Sequence, residues 1–437
     1  MHPSPALTRA GRGRILNKRS VSVAVASLRA RICCLDLDTF FVSVERLLDP
    51  SLEGKAVIVG GRPGQRGVVT AASYEVRALG VKSGMSLTEA ARLAPDAVYL
   101  PTRHGVYGDY AERVRRIAER FCPVIQIASI DEMYMDFAGC EELYRRERSE
   151  PDDAVVDRVV REMTTAVQSD VGLPSSAGVA SSKQVAKIAS GLAKPRGVLF
   201  VPAGREAELL APLAVRRFPG IGPVAERKLA ALGIVTLGEL ATISERELAR
   251  VFGARSAYVR DGARGAGTTD LSRDRPAFRE HDPLGGAVGS ISNERTFRED
   301  VSDPHAVESM LCALADRVCW RARRRGVKAR TVTLKLRYAD FHTINRSRTM
   351  TPTSSELELF PVLRDVYRRA RTRALPIRLV GVALSNLGVF DEQLSLFPGT
   401  GTLHDAVDTL RERFGYEVIG ISAGRGTGRR GSGGASV

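Results

Sequence analysis

The spacing of apolar and polar residues predicts alternating strands and helices in the first half of the chain. Arg31 to Leu37 is a short apolar run of β-forming residues, and Phe40 to Leu47 continues with apolar residues at helical spacing. A strand is therefore expected to end near Asp36 and to turn into a helix. In IQIASIDEMYMDF the alternation marks a second strand, with a turn at Asp131 and Glu132. Acidic residues thus lie on two β elements that can converge.

The segments around these strands complete an α/β unit. Asp49 to Pro101 is rich in Gly and Ala, with short strands in KAVIVGG and GVVTAAS and a helix in LTEAARLA. Val155 to Val171 is an amphipathic helix. The run SSAGVASSKQVAKIASGLAKPRGVLFV predicts a strand, a Ser-rich cap, a helix and a turn at Pro195.

A glycine-containing turn follows in FPGIGPVAERKLAALGI, residues 218–234. The pattern is typical of a helix-hairpin-helix, in which turn amides and the next helix N-terminus bind a backbone phosphate. Gly220 and Gly222 are the candidate DNA-contacting residues of this turn. An ordinary turn between two helices is the alternative.

The last third of the chain has the element order βαββαβ and follows a polar, proline-containing linker. The predicted elements are a strand (Val288 to Phe297), a helix (Pro304 to Arg325), two strands (Lys328 to Phe341, His342 to Met350), a helix (Ser354 to Arg373) and a strand (Ile377 to Leu387). In RTVTLKLRY an apolar face alternates with a polar face that carries Lys335 and Arg337. Arg346 and Arg348 on the next strand are expected to extend that basic face toward a DNA backbone. A solvated sheet face is the alternative.

Charge strengthens the expectation of a polyanionic partner. The 437 residues include 65 Lys and Arg against 50 Asp and Glu, a formal net charge of +15. Between Arg321 and Arg378 there are sixteen basic residues and four acidic ones. No apolar run reaches the roughly 18 residues that span a bilayer, so no membrane partner is expected. The six cysteines show no CxxC pairs and are expected to be reduced thiols of a cytoplasmic protein.

The acidic residues suit nucleotidyl transfer with two magnesium ions about 4 Å apart. Magnesium prefers carboxylate oxygens, and Asp36, Asp131 and Glu132 provide three from two neighbouring strands. On spacing alone, however, such residues are more often solvated turns.

Four motifs decide between these alternatives. LDLDTFFVSVE, TAASYEVRALGVKSGM, ASIDEMYMD and GVASSKQVAKIASGLAKPRG occur in that order. With them the chain, from about Arg31 to Leu387, closely resembles the Y-family of translesion DNA polymerases and is most similar to its bacterial DNA polymerase IV branch.

The resemblance implies a multidomain α/β (α+β) right-hand polymerase. Its parts would be a disordered basic arm (1–30), a palm (31–48 and 100–205), small fingers (49–99), a helical thumb with the helix-hairpin-helix (206–270), a linker (271–283), a βαββαβ little finger (284–389) and a tail (390–437).

The resemblance also assigns roles to residues. Asp36 and Asp131 would bridge both metal ions, Glu132 would hold the catalytic ion, and the carbonyl of Leu37 would complete the other. Asp38 matches the motif, with a structural role at least as well supported. The residues implied in nucleotide binding are Phe40, Phe41, Tyr74, Arg77 and Lys194.

Within that set, Phe41 would block the sugar 2′-hydroxyl, so that deoxynucleotides are preferred. Thr39 and Ala71 depart from the residues common in relatives, and the resemblance implies that both touch the nucleotide pocket. Beyond the little finger, DEQLSLFPG resembles the motif by which bacterial polymerases dock on the sliding clamp. The candidate clamp-binding residues are Gln393, Leu394, Leu396 and Phe397. A short amphipathic helix, Leu403 to Phe414, is predicted after it.

The resulting expectation is low-fidelity translesion synthesis from dNTPs on primer-template DNA, by a monomer that binds the sliding clamp and has no proofreading nuclease. One alternative is a catalytically silent, clamp-tethered scaffold, which the three carboxylates and Lys194 disfavour. The other is a different palm-type enzyme such as a nucleotide cyclase, which has no need of the hairpin motif or the basic terminal domain.

Overall fold

The computed structural model describes residues 29–271, 289–390 and 401–420. The predicted basic arm lies almost wholly outside these ranges, as do most of the linker, the clamp-binding motif at 393–397 and the end of the tail.

The first unit contains, in chain order, β1 (Ile32–Leu37), α1 (Phe40–Leu48), β2 (Val57–Val59), β3 (Ala71–Ala72), α2 (Tyr74–Ala78), α3 (Leu87–Leu93), β4 (Val98–Leu100), α4 (His104–Phe121), β5 (Ile125–Ile127), β6 (Glu132–Asp136), α5 (Glu141–Tyr144), α6 (Asp152–Val171), β7 (Ser175–Ala180), α7 (Lys183–Leu192) and β8 (Val198–Phe200).

The predicted strand around Asp36 is the centre of a five-stranded sheet with the order β5-β6-β1-β7-β8. β1 pairs antiparallel with β6 on one side and with β7 on the other, and its ICCLDL residues are almost wholly buried. Helices α4 and α6 pack together, and α6 supplies a continuous apolar stripe to the core from Val155 to Val171. The acidic end of β1 is therefore held in place by strand pairing on both sides and by the packed core.

Helix α7 packs very closely on the sheet at Gly178. A Cβ atom at this position would lie 2.2 Å from both the carbonyl oxygen of Ala186 and the amide nitrogen of Ser190. Only glycine permits this approach, since any side chain would push the helix away. The close approach brings α7 and the segment after it to the acidic end of β1.

The unit between β1 and β5 forms a small separate sheet. β2 lies between β3, which is antiparallel to it, and β4, which is parallel. Its own core is centred on Ile58, Val76 and Leu87. The strands in KAVIVGG and GVVTAAS and the helix in LTEAARLA are present where the pattern predicts them.

A helical unit follows, built on a core that includes Phe218, Leu229 and Leu248. Its helices are α8 (Glu206–Leu210), α9 (Pro223–Ala230), α10 (Leu237–Thr242), α11 (Glu245–Phe252) and α12 (Ser256–Ala263). Sharp turns with left-handed backbone at Gly220 and at Gly253 lead into α9 and toward α12.

The terminal unit has the predicted βαββαβ order. Its elements are β9 (Ser290–Val301), α13 (Pro304–Arg323), β10 (Lys328–Tyr338), β11 (Thr343–Thr353), α14 (Glu356–Ala370) and β12 (Ile377–Gly388). The sheet order is β11-β10-β12-β9, every neighbour is antiparallel, and the two helices cover one face. The other face is open.

The structure corrects the expected position of Arg346 and Arg348. Arg346 is the cross-strand partner of Leu334, and Arg348 is the partner of Val332, so both arginines lie on the apolar, helix-covered side. They remain exposed because β11 is an edge strand, and Arg348 pairs with Asp365 of α14 over 2.5 Å. They do not extend the face that carries Lys335 and Arg337.

The helix predicted near the C-terminus, here α15 (Gly401–Phe414), is joined to α13 by buried ion pairs. Arg411 is 1% exposed and donates to both Asp316 oxygens over 2.9 and 2.7 Å, and the hydroxyl of Tyr416 donates to Asp316 over 3.0 Å. Arg323 joins the contact by pairing with Asp408 over 2.7 Å. Removing one member of such a buried pair typically costs roughly 3–5 kcal/mol, so the docking depends on complete pairing.

All six cysteines are buried and free, as expected of reduced thiols. Among the described helices, none combines the length and apolar character needed to cross a bilayer.

Candidate active site

The three acidic residues of the predicted metal site lie at the same end of two paired strands. Asp36 on β1 is the cross-strand partner of Glu132 on β6, and the amide of Leu37 donates to the carbonyl of Asp131 over 2.9 Å. Directly opposed residues in an antiparallel pair have Cβ atoms about 5 Å apart. Two segments almost a hundred residues apart in the chain are thus brought together.

Two lysines compensate the charge of this cluster. Nζ of Lys187 contacts Oε2 of Glu132, and Nζ of Lys194 contacts Oδ1 of Asp36. Burial raises the pKa of Asp36, as do the nearby Asp131 and Glu132 carboxylates, whereas Lys194 lowers it. The net shift of the Asp36 pKa is upward. Burial lowers the pKa of each lysine, but the neighbouring acidic groups together outweigh burial and the net shift of each pKa is upward. The cluster therefore has a strong demand for positive charge.

The donor set fits a hard divalent cation. In the described parts of the chain, no three Asp, Glu, His or Cys side chains are already arranged as the ligands of a metal ion. Two of the three carboxylates instead engage Lys187 and Lys194. The set nevertheless offers only carboxylate oxygens, which magnesium prefers, and the ammonium groups supply the charge that a bound cation would bring.

Asp38 has the environment of a structural residue. Its side chain is 1% exposed, and Oδ2 accepts hydrogen bonds from the Ser176 hydroxyl and the Arg196 amide, both over 2.8 Å. Nζ of Lys194 lies 3.6 Å from its other oxygen. Asp38 therefore ties the turn after β1 to the segment that follows α7, which supports a structural role.

The predicted triphosphate-binding residues border the same site. Tyr74 is partly exposed at the start of α2, and the guanidinium of Arg77 lies 5.5 Å from the centre of its ring. Burial raises the pKa of the Tyr74 hydroxyl, and the charges of Asp38, Lys194 and Arg77 also act on it. Tyr74 thus lies beside Arg77, and Lys194 reaches Asp36 in the acidic cluster.

Phe41 has a firmly positioned ring. It stacks on Tyr107 at a centroid distance of 4.1 Å and an interplanar angle of 15°, and meets the ring of His104 edge-on. The Tyr107 hydroxyl donates to Glu45 over 2.6 Å, and burial raises the pKa of Tyr107 to about 12. Phe40, in contrast, is buried in the core beneath. Of the two rings, Phe41 is therefore the one that remains partly accessible.

Sequence reasoning missed two residues of this arrangement, Lys187 and Tyr107. Lys187 stands between the buried residues Ala186 and Ile188 on α7, and its own side chain is 36% exposed. A lysine next to the buried face of a helix was an available signal. Tyr107 had no such signal, because only the packing of α4 against α1 brings it to Phe41.

The two departures from the family pattern have defined environments. Thr39 adopts a left-handed backbone with φ 45° just before α1, and its hydroxyl lies 3.1 Å from that of Ser43. Such a conformation in a non-glycine residue costs on the order of 1 kcal/mol. Ala71 is buried in β3 opposite Val59, and the hydroxyl of neighbouring Thr70 donates to the Val59 carbonyl over 2.7 Å.

Comparison with known families follows the same division of the chain. Residues 35–191 match the impB/mucB/samB family, residues 203–234 match the IMS family HHH motif, and residues 288–396 match the impB/mucB/samB family C-terminal domain. A DNA polymerase IV of Dehalococcoides mccartyi strain CBDB1 is 34% identical over 394 residues, which cover 89% of this chain and 96% of that relative. The chain belongs to the Y-family of DNA polymerases. Its predicted likeness to the DNA polymerase IV branch is confirmed.

Another relative agrees with this assignment, and a solved structure shares the fold. A DNA polymerase IV of Streptomyces coelicolor is 37% identical over 370 residues, covering 82% of this chain and 71% of the relative. The Y-family DNA polymerase chimera Dbh-Dpo4(243-245)-Dbh matches with a TM-score of 0.71 at 24% identity, over 82% of this chain and all of that one. The predicted right-hand, multidomain fold is confirmed.

Proposed function

We infer that this chain is a DNA-directed DNA polymerase that carries out low-fidelity translesion synthesis without proofreading. Primer-template DNA and dNTPs are its substrates. The observation that carries this conclusion is the register that sets Asp36 against Glu132, with Asp131 adjacent, beside two lysines and Tyr74. A silent scaffold would not need such a concentration of charge.

We propose that Asp36, Asp131 and Glu132, with the carbonyl of Leu37, hold two magnesium ions. Bound magnesium supplies Lewis acidity, which activates the primer 3′-hydroxyl and neutralises charge on the triphosphate. Lys194, Tyr74 and Arg77 would bind the triphosphate as charge develops on the leaving pyrophosphate. Phe40 supports Phe41 from below, and the Phe41 ring excludes a 2′-hydroxyl from the sugar position.

We further propose that the polymerase acts as a cytoplasmic monomer that binds the sliding clamp through Gln393, Leu394, Leu396 and Phe397. Apolar anchors between polar and Pro or Gly neighbours suit a peptide that fills a hydrophobic pocket. On the DNA side, the turn at Gly220 and Gly222 would contact a phosphate. The carbonyl of Gly222 accepts the amide of Glu226 over 2.9 Å, and the amides before Glu226 belong to the N-terminus of α9, which can face a phosphate.

Primer extension with and without magnesium tests the proposed mechanism. We expect no extension of a primed template in EDTA, full extension when magnesium is restored, and a rate that rises with about the second power of free magnesium when magnesium is limiting. Extension in EDTA would contradict the metal site. Tight DNA binding with no extension under any metal condition would favour the silent scaffold.

Charge-reversal variants can test whether DNA contacts Arg346 and Arg348 on the β11 edge or the open face of the sheet. Replacing both by Glu should weaken duplex binding and reduce the slope of log affinity against log salt by about 0.9 per lost phosphate contact. Fluorescence anisotropy across a range of NaCl concentrations measures both quantities.

The matched control for that experiment is the double variant Lys335→Glu, Arg337→Glu, which reverses the same number of charges on the open face. An unaltered slope in the Arg346 and Arg348 variant would remove the β11 edge from the DNA interface. A reduced slope in the control alone would place the interface on the open face.

A further inference from the structure

A single arginine lies against the glycine turn of the thumb but comes from a distant part of that unit. Arg255 follows the left-handed turn at Gly253, thirty-five residues after Gly220. A Cβ atom built on Gly220 would lie 2.8 Å from Nη2 of Arg255 and 3.6 Å from Cζ. Gly220 also has φ +95°, which favours glycine by itself. The absence of a side chain at Gly220 thus leaves the space that the guanidinium occupies.

Aromatic packing holds Arg255 in this place. Its guanidinium lies 5.5 Å from the centre of the Tyr258 ring, and Tyr258 meets the ring of Phe218 edge-on at 6.0 Å. Phe218 is buried, and its carbonyl accepts the amide of Ile221 within the glycine turn over 3.1 Å. Arg255 is therefore connected to the glycine turn by a chain of packing contacts through the rings of Tyr258 and Phe218. Such stacking orients the guanidinium before a ligand arrives, so little conformational entropy remains to be lost.

The charge of Arg255 is left uncompensated. Arg255 is exposed, and in the described residues no acidic side chain pairs with it. Neighbouring arginines differ: Arg260 on the next helix pairs with Glu245 over 3.1 Å, and Arg216 lies 3.8 Å from Glu226. A purely structural arginine gains most from a carboxylate partner, whereas a phosphate-binding arginine has to keep its donors available.

We propose that Arg255 binds a backbone phosphate of duplex DNA next to the Gly220 to Gly222 turn. This inference rests on the proposed DNA-binding role of that turn and adds a cationic side chain from outside the segment that matches the HHH motif. The guanidinium fork supplies directional donors to the phosphate oxygens, while the turn amides face the same region. Because phosphates are identical along DNA, the contact adds affinity without sequence preference.

The test is equilibrium binding of the full chain to a fluorescein-labelled primer-template duplex over a range of NaCl concentrations. Arg255→Ala should weaken binding about tenfold at low salt, as expected for the loss of one charged hydrogen-bonding contact. It should also reduce the salt slope by about 0.9. Arg255→Lys keeps the charge, so it should retain most of the slope while losing part of the affinity.

Arg260→Ala is the matched control, because it removes an arginine from the same part of the thumb whose charge is already paired. Its affinity should stay within about twofold of the unmodified chain. Equal losses in Arg260→Ala and Arg255→Ala would overturn the proposal, as would an Arg255→Ala variant with unchanged affinity. Weaker binding with an unchanged slope would assign Arg255 a packing role only. Failure of the unmodified chain to bind DNA would instead contradict the proposed function.

Discussion

Asp131→Asn is expected to slow single-nucleotide addition by on the order of 10³-fold, the effect typical of removing one preorganised electrostatic group from an active site. The substitution keeps the size of the side chain and removes one of three carboxylates. The fold should tolerate it, because β1 is joined to this position through the Asp131 carbonyl rather than its side chain. Rapid-quench measurement at saturating dNTP and magnesium gives the rate of addition.

The control for this variant is Asp170→Asn, which neutralises an exposed palm carboxylate whose partner is Arg120 at 3.0 Å. It should leave the addition rate within about twofold, as is usual for exposed ion pairs. A rate in Asp131→Asn close to that of the unmodified chain, with the protein folded, would refute the assignment of Asp131 as a metal ligand.

Phe41→Ala is expected to reduce the preference for deoxynucleotides over ribonucleotides by roughly 100-fold, the upper range for discrimination by shape in a pocket. The Phe41 ring is fixed by stacking on Tyr107. A small rotation of the ring therefore could not relieve a steric clash with a ribose 2′-hydroxyl. Removing the ring opens room for a 2′-hydroxyl. The measurement is the ratio of kcat/KM for one dNTP and its matching NTP opposite the same template base.

Phe200→Leu is the control for aromatic loss elsewhere in the palm, since Phe200 packs against the core from β8. Its deoxynucleotide preference should equal that of the unmodified chain. If Phe41→Ala also kept the full preference, the selection against the 2′-hydroxyl would have to come from another residue.

Local sequence patterns were sufficient for much of the fold. Alternation and helical spacing located β1, β6 and the βαββαβ order, and the glycine turn before α9 was visible as FPGIGP. These features depend on interactions between near neighbours in the chain, which periodicity and turn residues encode directly.

The side of the sheet on which Arg346 and Arg348 lie did not follow from such patterns. Alternation gives the two faces of one strand, but the register with the next strand depends on the turn that joins them. Here the turn places Phe341 in a left-handed conformation and lets the Tyr338 amide donate to the His342 carbonyl over 2.9 Å. That geometry sets Lys335 against Asn345 and moves the arginines to the opposite side.

The sequence by itself determined the chemical inventory: three carboxylates on or next to β elements, a cationic segment after α7, and a basic terminal unit. Only the tertiary structure decided which groups meet, namely Lys187 with Glu132, Tyr107 with Phe41, Arg255 with Gly220 and Arg411 with Asp316. Each of these contacts joins residues that are far apart in the chain, and its geometry depends on strand register and helix packing. Those are properties of the assembled core, which no local pattern encodes.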